Sequence, residues 1–352
     1  MKTWLKTALI SGVLCCAVGA VLTAAGMLTG GKQYVQTADI NTLRGDARKA
    51  DSDSLAVLDK QKISGVQALD LALDNLDLKI VPSDDDCCYL SYRIAATGGE
   101  APLTYTVQDG TLHLKENDAV QPQVHIDVDF LTDFLTLGRL PEDDDTQTVI
   151  LSVPKSQLKQ LRIRVSYGDI SMRGIAAARG SIHCDNGDIS LNNCQLSQLT
   201  LNNDYGDISM RGISAARGSI RCENGDISLK NCRLSQLTLN NDYGDIDLER
   251  CTLDTADISL YNGEFDAQET AFSGENSITS SYGDISVSDT LAKLQALTIQ
   301  ASTAYGEISV PDELRAQIRQ TTDDELTDYC HSGTGGSLRV QADNGDIELS
   351  DD

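Results

Sequence analysis

The chain has 352 residues, enough for two ordinary domains or for one elongated repeat domain. Its 53 Asp and Glu outnumber its 28 Lys and Arg, so the formal net charge is −25 at pH 7. Because nucleic-acid binding requires a basic surface, this composition argues against a nucleic-acid partner.

Residues 7–31 contain no charged side chain, and this run is long enough to cross a bilayer as a helix. Lys2 and Lys6 precede it, which predicts that residues 1–6 stay in the cytoplasm and that the remainder is exported. A cleaved signal peptide is the alternative, because small residues stand at 23–25, but the run is longer than a normal signal core. We therefore predict an uncleaved, single-pass signal-anchor helix at 7–31 with the N-terminus inside.

Residues 32–64 are polar and charged, and we predict a juxtamembrane linker there. From residue 65 onward apolar and polar side chains alternate, as in LDLAL at 69–73. A period of two residues is typical of half-buried β-strands, so residues 65–166 are predicted to form an N-terminal β-rich part of the exported domain. Beyond the N-terminus, only residues 311–320 show a short helical pattern.

The second half of the chain is a repeat. Residues 167–204 and 205–242 match at 33 of 38 positions, and the structural period is half of that, 19 residues. Each unit opens with the motif [Tyr/Asn]-Gly-[Asp/Glu]-[Ile/Phe]. The motif begins at Tyr167, Asn186, Tyr205, Asn224, Tyr243, Asn262, Tyr282, Tyr305 and Asn344. A short fixed period without a helical pattern predicts a right-handed parallel β-solenoid (β-helix) over residues 167–350, with rungs of about 19 residues.

The motif also predicts which side chains face inward. Counting its Tyr or Asn as position 1, positions 4, 6, 9 and 16 are apolar and are predicted to fill the core. Glycine at position 2 suits a turn with positive φ, and the acid at position 3 is predicted to face solvent.

The ten cysteines of the chain are predicted to be buried thiols where they fall in the repeats. Cys184 and Cys222 lie two rungs apart, roughly 9.6 Å, which is too far for a disulfide. Cys232 and Cys251 lie on adjacent rungs, where a disulfide is the alternative to two free thiols.

A carboxylate stands at position 3 of every motif and often also just before position 1, and stacked rungs bring these acids into columns. Ca²⁺ takes six to eight oxygen ligands, so two stacked turns are a candidate for weak Ca²⁺ binding. The candidate ligands are Asp185, Asp188, Asp204, Asp207, Asp226, Asp242 and Asp245. The alternative is a solvated acidic edge in which Asp stabilises the turn, and no other cofactor is expected.

The tyrosines at position 1 are a candidate binding surface for a glycan or a protein. They are Tyr167, Tyr205, Tyr243, Tyr282 and Tyr305. The alternative is that each ring covers its turn and packs along the edge of the solenoid.

The sequence contains no recognisable catalytic motif, and we expect a protein that is not an enzyme. His183 is replaced by Arg221 in the second copy, so that site is not repeated. Cys330 and His331 form a pair without a second Cys or His at ligand spacing.

Two stretches carry a resemblance to a known family. VQALDLALDNLDLKIVPSDDD at 66–86 and VILSVPKSQLKQLRIRVSYGDISM at 149–172, followed by the NGDIS and YGDIS units, resemble the bacterial β-strand-repeat family of unknown function often labelled "putative adhesin", which includes LiaG-like envelope proteins. The resemblance covers about residues 60–350. It implies a membrane-anchored, extracytoplasmic β-solenoid in the bacterial cell envelope, and it transfers no active-site residues.

The function expected from these observations is a non-enzymatic, adhesin-like binding or scaffold module on the outside of a bacterial cell membrane. Its partners would be the membrane, through the N-terminal helix, and an unidentified envelope protein or surface glycan. The alternative is a regulatory component of a cell-envelope stress response that contacts a membrane sensor.

Overall fold

The computed structural model describes residues 55–96, 101–118, 120, 147–315 and 326–351. The predicted cytoplasmic segment, the predicted membrane helix and most of the predicted linker therefore lie outside the described residues. In the part of the chain that is described, no helix has both the length and the apolar character needed to cross a membrane.

Two β-sheets, of 13 and 16 strands, contain the described strands. The strands before the repeats are β1 (Leu55–Ile63), β2 (Ala68–Leu73), β3 (Asp77–Pro82), β4 (Cys88–Ala95), β5 (Leu103–Gln108), β6 (Thr111–Glu116) and β7 (Thr148–Val153). Strand β1 occupies the end of the segment predicted to be a linker, so the described β-structure begins at Leu55, before residue 65.

The repeats alternate between a longer strand in the 16-stranded sheet and a shorter strand in the 13-stranded sheet. The first repeat strands are β8 (Gln160–Tyr167), β9 (Ile170–Arg173), β10 (Ala176–Asn186), β11 (Ile189–Asn192), β12 (Gln195–Tyr205), β13 (Ile208–Arg211), β14 (Ser214–Asn224) and β15 (Ile227–Lys230). The next are β16 (Arg233–Leu234), β17 (Leu237–Tyr243), β18 (Ile246–Glu249), β19 (Thr252–Asp254), β20 (Ala256–Asn262), β21 (Phe265–Gln268), β22 (Ala271–Ser273), β23 (Glu275–Tyr282) and β24 (Ile285–Ser288).

The C-terminal part contains two short helices as well as strands. These elements are α1 (Leu291–Ala296), β25 (Thr298–Tyr305), β26 (Ile308–Ser309), α2 (Asp312–Arg315), β27 (Asp328–His331), β28 (Ser337–Asn344) and β29 (Ile347–Ser350). Helix α2 lies within the stretch with a helical pattern. Helix α1 was not expected; its six residues are too few to establish a helical period, and it buries only Leu294.

Parallel pairing in register confirms the predicted period. Ile189 pairs with Ile170 on one side and with Ile208 on the other, and Ile208 pairs in turn with Ile227. Each equivalent position therefore stacks on itself, and the isoleucines at position 4 are fully buried. The all-β, mostly parallel, solenoid-like architecture and the inward positions 4, 6, 9 and 16 are confirmed; the right-handed sense of the coil stays a prediction.

The order of the rungs in space departs from their order in the chain at both ends. At the N-terminal end, β2 lies between β6 and β8, and β3 lies between β7 and β9. At the other end, β28 lies between β23 and β25, and β29 lies between β24 and β26. The rung of β2 and β3, near the start of the chain, and the rung of β28 and β29, at its end, are thus each inserted one place in from the end of the stack.

Antiparallel strands cover the outermost rungs. β5 pairs with β6 and β4 pairs with β7 at one end, and β27 pairs with β25 at the other. Covering strands satisfy the backbone groups of a terminal rung, which would otherwise present an edge for pairing with another chain.

Candidate functional site

The corner between the two sheets is built on stacked glycines. Gly206 has φ of +125°, and an added Cβ would lie only 2.3 Å from the carbonyl oxygen of Gly187 on the preceding rung. Glycine is required here because a side chain meets both backbone strain and a main-chain clash. This close stacking turns positions 1 and 3 outward on either side of the corner.

The acids at position 3 form a hydrogen-bonded ladder. The backbone N–H of Asp207 donates to Oδ1 of Asp188 at 2.8 Å, and Oδ1 of Asp207 accepts the N–H of Asp226 at 2.8 Å. The same bond links successive rungs from Asp77 through Asp169 to Asp188, from Asp226 through Asp245 to Glu264, and from Asp284 through Asp346 to Glu307. We call this set the aspartate ladder.

The ladder gives the exposed acids a structural role that alternation alone did not reveal. One oxygen of each bonded Asp accepts the backbone N–H of the next rung, so the exposed acidic edge also joins neighbouring rungs. The weak Ca²⁺ binding expected of Asp188, Asp207, Asp226 and Asp245 stays a prediction, and a cation there would have to use carboxylates that already accept a backbone N–H.

The other three predicted ligands do not belong to the ladder. Asp185, Asp204 and Asp242 precede the motif by one residue, and all three side chains are partly exposed. His183 Nε2 lies 2.9 Å from Oδ1 of Asp185, and Asp242 Oδ2 lies 2.8 Å from an Arg221 nitrogen. The seven acids therefore form two separate columns and not one cluster.

The residues at position 1 alternate strictly along the stack. Tyr205 pairs with Asn186 on one side and with Asn224 on the other. The pattern continues through Tyr243, Asn262 and Tyr282 to Asn344 and Tyr305, because the last rung of the chain inserts between the two rungs that carry Tyr282 and Tyr305. We call this set, which begins with Tyr167, the tyrosine–asparagine column.

The tyrosines of the column are open to solvent. Exposure of the five predicted rings ranges from 50% for Tyr243 and Tyr282 to 78% for Tyr305. Alternate rungs are about 9.6 Å apart along the stack. At least half of the surface of each of these tyrosines is therefore accessible, and their role as a binding surface stays a prediction.

Tyr261 extends the exposed aromatic surface and was not predicted. Its ring centroid lies 6.0 Å from that of Tyr243 and 5.7 Å from that of Tyr282, with edge-to-face angles of 78° and 77°. Such contacts stabilise aromatic clusters. Tyr261 stands at the position before the motif, where five other rungs carry Asp or Glu and no other rung carries an aromatic residue, and that difference was the signal in the sequence.

Buried polar side chains hold the inner side of the corner. Nδ2 of Asn203 donates to the carbonyl oxygens of Gly187 and Gly206, at 3.1 and 2.6 Å. Cys184 and Cys222 occupy the same column and lie beside equivalent glycine carbonyls. Burial raises the pKa of Cys184 to about 12 and that of Cys222 to about 11, so both thiols stay protonated at neutral pH.

The alternative of a disulfide between Cys232 and Cys251 is not realised in the structure. Both are free thiols; Cys251 donates to the carbonyl of Leu229 at 3.3 Å, and Cys232 to that of Met210 at 3.5 Å. A hydrogen bond with Cys251, together with burial, raises the pKa of the Cys232 thiol far above its ordinary value.

A polar groove of about 840 Å³ crosses the outer face of the 16-stranded sheet, from β14 to β25. Arg217, Asp257, Glu275 and Arg339 are among its lining residues. It offers donors and acceptors of both charges near the beginnings of the same strands that end in the tyrosine–asparagine column.

Comparisons with known proteins give the following likenesses. None of the curated proteins compared with this chain matches it. A putative lipid binding protein from Parabacteroides distasonis is similar in structure, with a TM-score of 0.45 and 13% identity over 85% of this chain and 98% of that chain. A putative adhesin from Bacteroides fragilis has a TM-score of 0.37 and 12% identity over the same shares of the two chains.

The family model with the description Toastrack DUF4097 matches residues 66–350. That range includes β2 to β29, and therefore the repeat strands together with β4, β5 and β27, the antiparallel strands that pair with the outermost rungs. The chain belongs to the Toastrack DUF4097 family.

Proposed function

We propose that this protein is a non-enzymatic binding module held in a bacterial cell membrane by residues 7–31, with its repeat domain outside the cell. The uncharged run and the preceding lysines support the anchor and its orientation. The observation that carries the binding role is the tyrosine–asparagine column, whose alternation runs through the inserted C-terminal rung.

The ligand that best fits this column is an extended surface glycan. Tyrosine offers an apolar ring face together with a hydroxyl, and asparagine offers an amide donor and acceptor between neighbouring rings. A regular row of such groups matches a polymer with repeating units better than it matches a single small molecule. The exposure of all five predicted tyrosines leaves their rings accessible to a chain lying along the stack.

The charge around the column restricts the kind of glycan. The aspartate ladder lies on one side, and Asp185, Asp204 and Asp242 lie on the other. Like charges across an interface oppose binding, so a polyanionic glycan is disfavoured and a neutral or amino-bearing one is favoured.

The test replaces tyrosines by the residue that the column itself uses on alternate rungs. The full-length chain and its Tyr205→Asn/Tyr243→Asn/Tyr282→Asn variant would be applied to an array of neutral, amino-bearing and anionic bacterial glycans. We expect the wild-type chain to bind neutral or amino-bearing glycans and the variant to lose most of that binding. Arg339→Ser, in the polar groove, is the control and is expected to bind as the wild type does.

Unchanged glycan binding by the triple variant would reject the column as the binding surface. Absence of glycan binding by the wild-type chain, with capture of a membrane sensor from envelope fractions, would favour the regulatory alternative instead.

A further inference from the structure

The two copies of the 38-residue repeat differ in a cluster of charged side chains beside the tyrosine–asparagine column, where Arg221 and Glu223 replace His183 and Asp185. In the second copy, an Arg221 nitrogen lies 3.3 Å from Oε1 of Glu223 and 2.8 Å from Oδ2 of Asp242. A guanidinium therefore bridges two carboxylates on adjacent rungs. Such charge-assisted bonds fix the positions of both acids.

In the first copy, the equivalent residues are His183, Asp185 and Asp204. His183 Nε2 lies 2.9 Å from Oδ1 of Asp185, and one ligand atom from each of the three side chains lies within 4.8 Å of the others. The two carboxylates are kept, but the group between them is an imidazole. It offers a nitrogen ligand where the second copy supplies a fixed positive charge.

This set of atoms matches the preferences of divalent transition ions. Zn²⁺ binds imidazole nitrogen and carboxylate oxygen at about 2.0–2.2 Å, which places tetrahedral ligands roughly 3.3 Å apart. The side chains of His183 and Asp185 are 40% and 42% exposed, so small rotations can bring them to that spacing. Ca²⁺ prefers oxygen ligands alone, which separates this set from the weak Ca²⁺ binding considered for the aspartate ladder.

We propose that His183, Asp185 and Asp204 bind Zn²⁺ or a similar divalent transition ion at the place where the second copy holds Arg221. The ion links β10 to β12 as the guanidinium links β14 to β17. It leaves at least one coordination position for water, and the net charge of −25 favours its approach. This site is independent of the proposed glycan binding.

The internal duplication supplies matched variants for the test. Isothermal titration of the full-length chain with ZnCl₂ is expected to show a site that His183→Arg weakens by about tenfold or more. His183→Arg introduces the residue that the second copy already accommodates at the same position. The double variant Arg221→His/Glu223→Asp makes the second copy identical to the first at these positions, and we expect one additional Zn²⁺ per chain.

Equal Zn²⁺ binding by the wild-type chain and the His183→Arg variant would overturn the proposal, because the ion would then be held elsewhere, for example by the exposed Cys330. Failure of the double variant to bind an additional ion would overturn it as well. A titration with CaCl₂ is expected to give the same result for all three chains, and loss of Ca²⁺ binding in His183→Arg would contradict a site selective for transition ions.

Discussion

The backbone N–H of Asp346 donates a hydrogen bond to Oδ1 of Asp284 at 2.8 Å, although 62 residues separate the two in the chain. The N–H of Glu307 then donates to Oδ1 of Asp346, also at 2.8 Å. The last rung of the chain therefore continues the aspartate ladder from within the stack. The same insertion places Asn344 between Tyr282 and Tyr305, so it preserves both columns that flank the corner.

The ladder is interrupted where glutamate replaces aspartate, and restoring it is expected to stabilise the protein. Among the described rungs, Glu264 accepts no hydrogen bond from the N–H of Asp284, because its longer side chain does not place an oxygen there. Glu264→Asp is expected to add about 0.5–1.5 kcal/mol to the free energy of unfolding, the ordinary net contribution of one hydrogen bond. Denaturant unfolding measures this change, and hydrogen exchange at the amide of Asp284 is expected to slow.

The matched control is Asp226→Glu, which makes the opposite change on a regular rung. It is expected to destabilise the fold by a similar amount. It should also speed hydrogen exchange at the amide of Asp245, whose N–H donates to Oδ1 of Asp226 in the wild-type chain. Equal stability of both variants and the wild type would show that the ladder bonds contribute nothing measurable.

Local regularity explains which parts of the fold could be predicted. The burial of Ile208 and Met210 and the exposure of Asp207 follow from alternation within a single strand, and the period of 19 residues then stacks them. The insertion of β28 and β29 could not be read in this way, since every rung presents similar edges to its neighbours. The alternation of Tyr and Asn at position 1 indicated the insertion, because Tyr282 and Tyr305 open two consecutive motifs of the chain and an Asn between them restores the alternation.

The candidate sites are formed by contacts between rungs, and such contacts are harder to predict from the sequence than the strands themselves. The bonds of the aspartate ladder join residues 19 or more positions apart and require the register to be known. Tyr261 contributes to the aromatic surface from a position that holds an acid on five other rungs. The replacement of His183 by Arg221 argued against a site at this position, whereas both side chains lie against equivalent carboxylates.

A side chain at the corner is expected to break the close stacking of rungs. In Gly206→Ala, the new Cβ would lie 2.3 Å from the oxygen of Gly187, at a φ of +125°. Strain and overpacking together are expected to cost about 2–5 kcal/mol of unfolding free energy. Gly65→Ala is the control, since Gly65 also has positive φ, +79°, but an added Cβ meets no atom within 4 Å. Thermal unfolding should show a loss several times larger for Gly206→Ala, and similar losses would mean that the main-chain clash is relieved at little cost.

Asp247 is expected to weaken the fold at neutral pH. Partial desolvation, and then the carboxylates of Asp266 and Asp245, raise its pKa above the ordinary value. A carboxyl with a raised pKa in the folded state binds its proton more tightly there than in the unfolded chain, so it stabilises the fold progressively as the pH falls from neutral towards about 4. Asp247→Ser, which copies the neighbouring Ser228, should therefore raise the melting temperature at pH 7 and give a smaller gain near pH 4.

Glu348→Ser controls for the change in total charge. It removes one carboxylate at the same position of a rung whose neighbours there are Ser286 and Ser309. Its effect on the melting temperature is expected to vary less with pH. The same pH dependence in both variants would assign the effect to total charge and not to the local environment of Asp247.

Thiol reactivity should follow the inward register of the repeats. Burial, with a smaller contribution from Cys87, raises the pKa of Cys88 to about 12, and the cysteines at the repeat core positions are buried as well. Alkylation of the native full-length chain, read by peptide mass spectrometry, is expected to modify Cys330 and Cys87 first among the described cysteines. Labelling of Cys184 or Cys222 should require denaturant. Their rapid native modification would contradict the assignment of that column to the core.

Removal of the C-terminal rung tests the insertion directly. Deletion of residues 337–352 takes away β28 and β29, which separate the rung of β23 and β24 from that of β25 and β26. We expect hydrogen exchange to become fast at 298–309 in the truncated chain, because β25 and β26 lose their parallel partners. Deletion of 351–352 alone removes no strand residue and is the control. If rungs were stacked in chain order, residues 298–309 would keep their neighbours, and their amides would stay protected after the longer deletion.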